Sequence, residues 1–255
     1  IGCNVSFWEP TIEQGLWYYN PADLKDLVKD STKLIIVNFP HNPTGFSPSL
    51  DEFKYIVDLA RQRGIAIFSD EMYRFLNHGT NEILPSASDL YENAVSLWGT
   101  AKTFGLAGLR LGWITSKNKQ LLRDVEAFKD YLSICSSAPS EVLGTIALNH
   151  IDSFVKPNLT KIKANISHFE QFHQRNPILF DFPKPSSGST AFIKLNINES
   201  AMDFAERLVR DTGIMILPSE TFEYGTSHVR IGFGRKNMPE ILDMLEKYLV
   251  TSYFV

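Results

Sequence analysis

The chain has 255 residues, 44% of them hydrophobic, and a formal net charge of −4. That length can bury a substantial core, while mixed charges with no run of five like signs give no footprint for nucleic acid or an anionic membrane surface. No apolar stretch approaches the roughly 20 residues of a membrane span, and Cys3 and Cys135 lack metal-ligand spacing. A cytoplasmic, reducing setting is therefore expected.

In chain order, Ile1 to Val5 resembles the middle of a β-strand, and the first residue is not Met. The expectation is a fragment that lacks an N-terminal portion. Lys33 to Phe39 is a continuous apolar run rich in β-branched residues, which predicts a strand buried on both faces of a parallel sheet. Ser49 and Glu52 form a capping box, Phe53, Ile56, Val57 and Ala60 give one apolar face, and Gly64 stops that helix. Ile65 to Phe68 predicts the next strand, so a βαβ unit is expected, continued by strands at Ala94–Trp98 and Leu109–Thr115. Helices follow at Asn118–Leu132, from Pro139 to His150, and at Asp152–Arg175, the last capped or kinked by Pro157. Beyond Pro177 the texture changes to a Pro/Ser/Gly loop, strands at Thr190–Leu195, Ile214–Leu217 and His228–Phe233, and helices at Ala201–Arg210 and from Pro239 onward. The predicted fold is α/β, with a mostly parallel sheet sandwiched by helices over residues 1–154 and a smaller α+β domain over 155–255. No internal repeat is present.

Three polar clusters fall just past predicted strand ends, where an open α/β sheet builds its ligand crevice. The first is Asn38-Phe-Pro-His-Asn-Pro-Thr-Gly45, whose prolines fix the loop so that the Asn42 amide can be aimed. The second is Ser69-Asp-Glu-Met-Tyr73. A carboxylate such as Asp70 beside a pyridine nitrogen keeps it protonated, and Tyr73 is placed to donate to the same ring. The third is Ser96-Leu-Trp-Gly-Thr-Ala-Lys-Thr-Phe-Gly-Leu-Ala-Gly-Leu-Arg-Leu-Gly112, which sets Lys102 and Arg110 eight residues apart in a Gly-rich turn and predicts a buried amine. An amine for an aldehyde and a bidentate cation for a phosphate is the pair that pyridoxal 5′-phosphate (PLP) requires. Each cluster alone has a plainer reading: a structural turn, a helix cap or metal ligand, and a solvated lysine with a buried ion pair.

Taken together and in this order, the clusters resemble the class I/II aminotransferases among fold-type I PLP enzymes. The resemblance implies that Lys102 carries the coenzyme as a Schiff base, Asp70 pairs with its pyridine nitrogen, Asn42 and Tyr73 hold its phenolic oxygen, and Arg110 holds its phosphate. Met72 would pack on one ring face. In Ser227-His-Val-Arg-Ile-Gly-Phe-Gly-Arg235, Arg230 matches the arginine that grips the substrate α-carboxylate. The resemblance also implies a homodimer and transfer of an amino group between an L-amino acid and a 2-oxo acid. A β-lyase or decarboxylase of the same fold, or a non-catalytic PLP-binding sensor or scaffold, stays open beside it. His41, Tyr18, Tyr19, Phe104 and Phe222 either line the substrate pocket or pack. One departure is local: many relatives carry hydroxyls one and three residues before the lysine, whereas this chain has Ala101 and Gly99, so that either the phosphate grip is weaker or Thr100 substitutes. Another is larger: the family's glycine-rich phosphate loop, ring-stacking aromatic and substrate-covering arm precede the point where this sequence begins.

Overall fold

Gln14 and Gly15 both have positive φ, 50° and 77°, as a two-residue hairpin turn demands. They join β1 (Thr11–Glu13) to β2 (Leu16–Tyr18), a hairpin the sequence reading does not anticipate. The computed structural model describes residues 2–79 and 82–253. The strand expected at the start is not found: residues 2–10 are in neither helix nor strand, and Ile1 lies outside the described residues. Asn20 caps α1 (Pro21–Leu27), accepting from Ala22 N–H at 3.1 Å.

The first sheet is assembled from β3 (Leu34–Asn38), β4 (Ala66–Asp70), β5 (Ala94–Gly99) and β6 (Gly112–Thr115). β3, β4 and β5 are parallel neighbours, and β6 returns antiparallel to β5. The crossover α2 (Leu50–Arg63) starts on the predicted capping box. Ser49 Oγ accepts from Glu52 N–H, and Glu52 accepts from Ser49 N–H at 2.7 Å. It ends on Gly64 in the left-handed region, φ 64°, as expected for an αL cap. The short α3 (Ala87–Leu90) leads into β5. Two expectations need correcting. β3 is not buried on both faces: Ile35 and Val37 are in the core, but Leu34 is 48% and Ile36 68% exposed, so its apolar run covers one packed face and one open one. Nor is Leu109–Thr115 a continuous strand. Ala107–Leu109 is a 3₁₀ turn, Arg110 follows with φ 51°, and the strand proper begins at Gly112.

Three helices come next, α4 (Lys119–Leu132), α5 (Ala138–Asn149) and α6 (Ile151–Arg175). Phe128, Tyr131 and Leu132 on α4 and Val142 and Ile146 on α5 are exposed. α6 runs through Pro157 without a break, so residue 155 lies inside a continuous helix. The second sheet comprises β7 (Phe180–Asp181), β8 (Thr190–Leu195), β9 (Leu217–Pro218) and β10 (His228–Gly232), antiparallel in the order β7-β8-β10-β9. The strand expected over Ile214–Leu217 is thus reduced to Leu217–Pro218. α7 (Ala201–Thr212) and α8 (Met238–Tyr253) complete it, and Phe169, Phe172, Phe180, Phe204 and Phe233 fill its core. Tyr73 and Leu76, from the loop after β4, belong to the same core. Among the described residues no helix is long and apolar enough to cross a membrane.

The two sheets are joined along a polar seam. Gly45 C=O accepts from Ser186 and Ser187 N–H at 3.2 and 3.0 Å, Gly188 N–H donates to Leu76 C=O at 2.8 Å, and Gly79 N–H donates to Ser186 C=O at 2.7 Å. Trp17 Nε1 donates to Phe192 C=O at 2.8 Å. These bonds fix the second sheet against the carboxyl ends of the first.

Candidate active site

Strand register places the site. Asn38 pairs with Asp70 across β3 and β4, Asp70 with Leu97 across β4 and β5, and Gly99 with Gly112 across β5 and β6. The loops carrying Asn42, Asp70 and Lys102 therefore leave three adjacent strands at one sheet edge, the edge where a parallel sheet opens a crevice.

Asn38 stiffens that edge. Its amide donates to Asp70 C=O at 3.2 Å, and its Oδ1 accepts from Asn42 N–H at 2.9 Å. Asn42 then reaches the second sheet, with Oδ1 accepting from Arg230 Nη1 at 3.1 Å. A guanidinium donates only, so that bond assigns the oxygen of Asn42 to Arg230 and leaves its NH₂ free to donate elsewhere. Asp70 Oδ1 accepts from Met72 N–H at 3.0 Å, leaving the second carboxylate oxygen for another donor. Tyr73 is buried. Burial holds its phenol above the usual range, and the nearby Arg230 charge pulls the other way. The ring of Tyr73 lies 5.9 Å from Lys102 Nζ.

Lys102 departs from expectation: it is exposed rather than buried, and Arg110 is exposed as well. Neither has a carboxylate partner among the described residues, so the buried ion pair considered for Arg110 does not form. The turn that carries Lys102 is held firmly. Thr103 Oγ1 donates to Met72 and Arg74 C=O, and Asn158 of α6 donates to Thr103 C=O at 3.0 Å. Thr100 does not substitute for the missing hydroxyls: it is fully buried, and its Oγ1 is committed to Leu111 C=O at 3.1 Å. The Met72 side chain lies against Gly99, its Cε 3.4 Å from where a Cβ would stand.

The aromatic candidates separate by role. Phe104 packs under Trp98, Tyr18 donates to Glu52, and Tyr19 bonds His41 Nε2 at 3.0 Å while His41 Nδ1 meets Thr44 Oγ1 at 2.9 Å. Burial lowers the His41 imidazole to about 4. Phe222 alone of the group lies against a site residue, its ring centroid 5.6 Å from Arg230 Cζ. Asn38 opens the first polar cluster but has no role assigned from sequence, and Asn158 is not singled out there at all. The position of Asn38 at the end of a strand, four residues before Asn42, was the available signal; nothing in the sequence pointed to Asn158.

The sequence profile of the family Aminotransferase class I and II matches residues 13–245. The chain belongs to this family. A capreomycidine synthase of Streptomyces vinaceus is 28% identical over 212 residues, covering 83% of this chain and 54% of that protein. An aspartate aminotransferase of Thermococcus kodakarensis is 28% identical over 218 residues, covering 85% and 56%. The crystal structure of a PLP-dependent aminotransferase from Streptococcus suis matches with a TM-score of 0.89 at 27% identity, over 97% of this chain and 65% of that one. The chain thus spans just over half the length of the curated relatives it matches, and its α/β fold with a mostly parallel first sheet is that of the solved aminotransferases.

Proposed function

We propose that this class I/II aminotransferase chain carries the coenzyme-binding and carboxylate-binding residues of a PLP-dependent transaminase, moving an amino group between an L-amino acid and a 2-oxo acid. The observation that carries the reading is the Arg230–Asn42 hydrogen bond. It brings a guanidinium without a carboxylate partner among the described residues to the edge that holds Asp70, Tyr73 and Lys102. The donor set fits PLP group by group: Lys102 for the aldehyde, Arg110 for the phosphate, the free oxygen of Asp70 for the pyridine nitrogen, and the Asn42 NH₂ and Tyr73 hydroxyl for the phenolic oxygen. When bound, PLP supplies an aldehyde that condenses with amines and a ring that takes up the electron pair left at the substrate Cα.

Each residue then has a task. Lys102 anchors the coenzyme through its amine and, once released, moves the proton at Cα as a base on a rigidly held turn. Asp70 holds a proton on the pyridine nitrogen, because a carboxylate beside that atom favours its cationic form. Tyr73 and Asn42 fix the ring orientation by hydrogen bonds, Arg110 binds phosphate, and Arg230 clamps the α-carboxylate with its planar fork.

The first sheet with its loops, residues 1–154, is the coenzyme unit in this reading, and 155–255 the smaller one. The family resemblance adds a homodimer, with which the exposed apolar side chains of α4 and α5 are compatible. Two free, exposed cysteines fit a cytoplasmic setting. The test is an absorbance spectrum of the full-length protein with PLP, with Lys102→Ala alongside, before and after a panel of amino acids. A visible band that requires Lys102 and is bleached by an amino acid, with the matching 2-oxo acid released, is expected. Full transamination by Lys102→Ala would falsify the assignment. The competing outcome, elimination on the same residues, is compatible with the same fold. Pyruvate released from a β-leaving-group amino acid without any 2-oxo acid acceptor is its signature.

A further inference from the structure

Arg230 sits on β10 opposite Phe192 of β8, and its guanidinium has two neighbours of unlike kind. Asn42 Oδ1 occupies Nη1 at 3.1 Å, and the Phe222 ring lies with its centroid 5.6 Å from Cζ. An arginine side chain gives up considerable rotamer freedom when it clamps a ligand, so contacts that hold the fork before the ligand arrives lower the cost of binding.

Phe222 is well placed to be such a contact. It ends the 3₁₀ turn Ser219–Phe222, and Glu223 follows with φ 56°. Ser219 is fully buried, donating to Gly225 C=O and accepting from His228 N–H, both at 3.1 Å, while Thr221 Oγ1 donates to Pro218 C=O at 2.7 Å. The ring itself stands edge-on to Phe192, 5.6 Å between centroids at 70°. Phe192 in turn packs against Trp17, Tyr224 and His228. A rigid turn and an aromatic stack thus present one ring to the charge.

We propose that Phe222 is a positioning residue for substrate binding: its ring holds the Arg230 guanidinium in the plane that meets an α-carboxylate. This rests on the reading of Arg230 given above. The ring does not touch the reacting atoms, so its effect falls on binding and not on the proton transfer at Cα. Because it acts through a group common to all amino acid substrates, that effect is independent of the substrate side chain.

The experiment measures kcat and KM for L-aspartate and L-phenylalanine with the PLP-loaded full-length protein, in wild type, Phe222→Leu, Phe222→Tyr and Arg230→Ala. Leucine keeps the apolar bulk against Phe192 but removes the aromatic face, whereas tyrosine keeps that face. Phe222→Leu is expected to raise KM by roughly 5-fold for both amino acids, within the range of a cation–π contact, with kcat nearly unchanged and Phe222→Tyr close to wild type. Wild-type behaviour of Phe222→Leu beside an impaired Arg230→Ala overturns the proposal alone. A KM change for only one amino acid also overturns it, and makes Phe222 part of a side-chain pocket. If Arg230→Ala binds both amino acids as well as wild type does, the Arg230 reading fails and this proposal with it.

Discussion

Asn38 and Asp70 end neighbouring parallel strands in register, and the Asn38 amide donates to the Asp70 carbonyl at 3.2 Å. With its oxygen on Asn42 N–H, this one side chain sets the spacing between the loop that aims Asn42 and the loop that aims Asp70. Neither bond involves a ligand: the spacing is set by the protein's own groups. Arg230 extends the same chain of contacts into the second sheet, and the site is a relay of short polar links across loops from separate strands.

Removing the link tests its weight. Asn38→Ala loses two partly buried hydrogen bonds and is expected to cost about 1–3 kcal/mol of stability and to weaken PLP binding several-fold. Denaturant melts and a spectral titration with PLP measure the two effects. A variant with unaltered coenzyme affinity would show that the Asn42 and Asp70 loops hold their positions without Asn38.

Gly45 is expected to tolerate no side chain, for two separable reasons. Its φ is +71°, and a Cβ would stand 2.3 Å from Pro185 Cβ and 2.7 Å from Thr190 O. Gly64 has a similar φ of +64° but faces open space. Gly64→Ala should therefore cost only the left-handed strain, about 1–2 kcal/mol. Gly45→Ala adds a clash with the seam between the sheets and should exceed it by ~2 kcal/mol or more. Equal melting midpoints for the two variants would contradict the close approach.

How far the sequence discloses this molecule depends on the range of the interaction that fixes each feature. The capping box at Ser49 and the stop at Gly64 are decided within four residues, and both are found where expected. That the loops carrying Asn42, Asp70 and Lys102 share one sheet edge is legible because βαβ units return their loops to one edge. The exposure of Leu34 and Ile36 was not legible, since an apolar run does not disclose whether anything covers its second face. The exposure of Lys102, Thr100 turned to Leu111, Asn158 reaching Thr103 across 55 residues and Phe222 on Arg230 are all settled by packing between segments distant in sequence. The hairpin at Gln14–Gly15 is a local feature, its turn resting on Gly15 at φ 77°.

Acid should destabilise the fold partly through His41. Burial lowers its imidazole from 6.5 to about 4, and His78 is lowered likewise to about 4. Between pH 6.5 and about 4 the unfolded chain therefore binds protons that the folded protein does not, so stability falls as pH falls through that window and is unaffected by these groups above it. His41→Gln is expected to be less stable than wild type at pH 7, and the gap should narrow by pH 4.5. A gap independent of pH, read from paired thermal melts, would mean that His41 takes up its proton in the folded state as readily as in the unfolded one.

The turn before Lys102 predicts how coenzyme affinity can be raised. Gly99 cannot carry a hydroxyl-bearing side chain, because a Cβ there would lie 2.9 Å from Leu111 O and 3.0 Å from Gly112 Cα. Thr100 has spent its hydroxyl on Leu111. Ala101, half-buried beside Lys102, is the remaining place for a further phosphate donor. A hydrogen bond from a hydroxyl to a phosphate oxygen is charge-assisted, so Ala101→Ser should tighten PLP binding by about tenfold, corresponding to roughly 1.4 kcal/mol. Gly99→Ser should instead destabilise the fold without tightening anything. The decisive comparison is the dissociation constant of PLP against that of pyridoxal, which lacks the phosphate. Only the phosphorylated form should gain from Ala101→Ser, and an equal gain for both would place the new hydroxyl on some other part of the coenzyme.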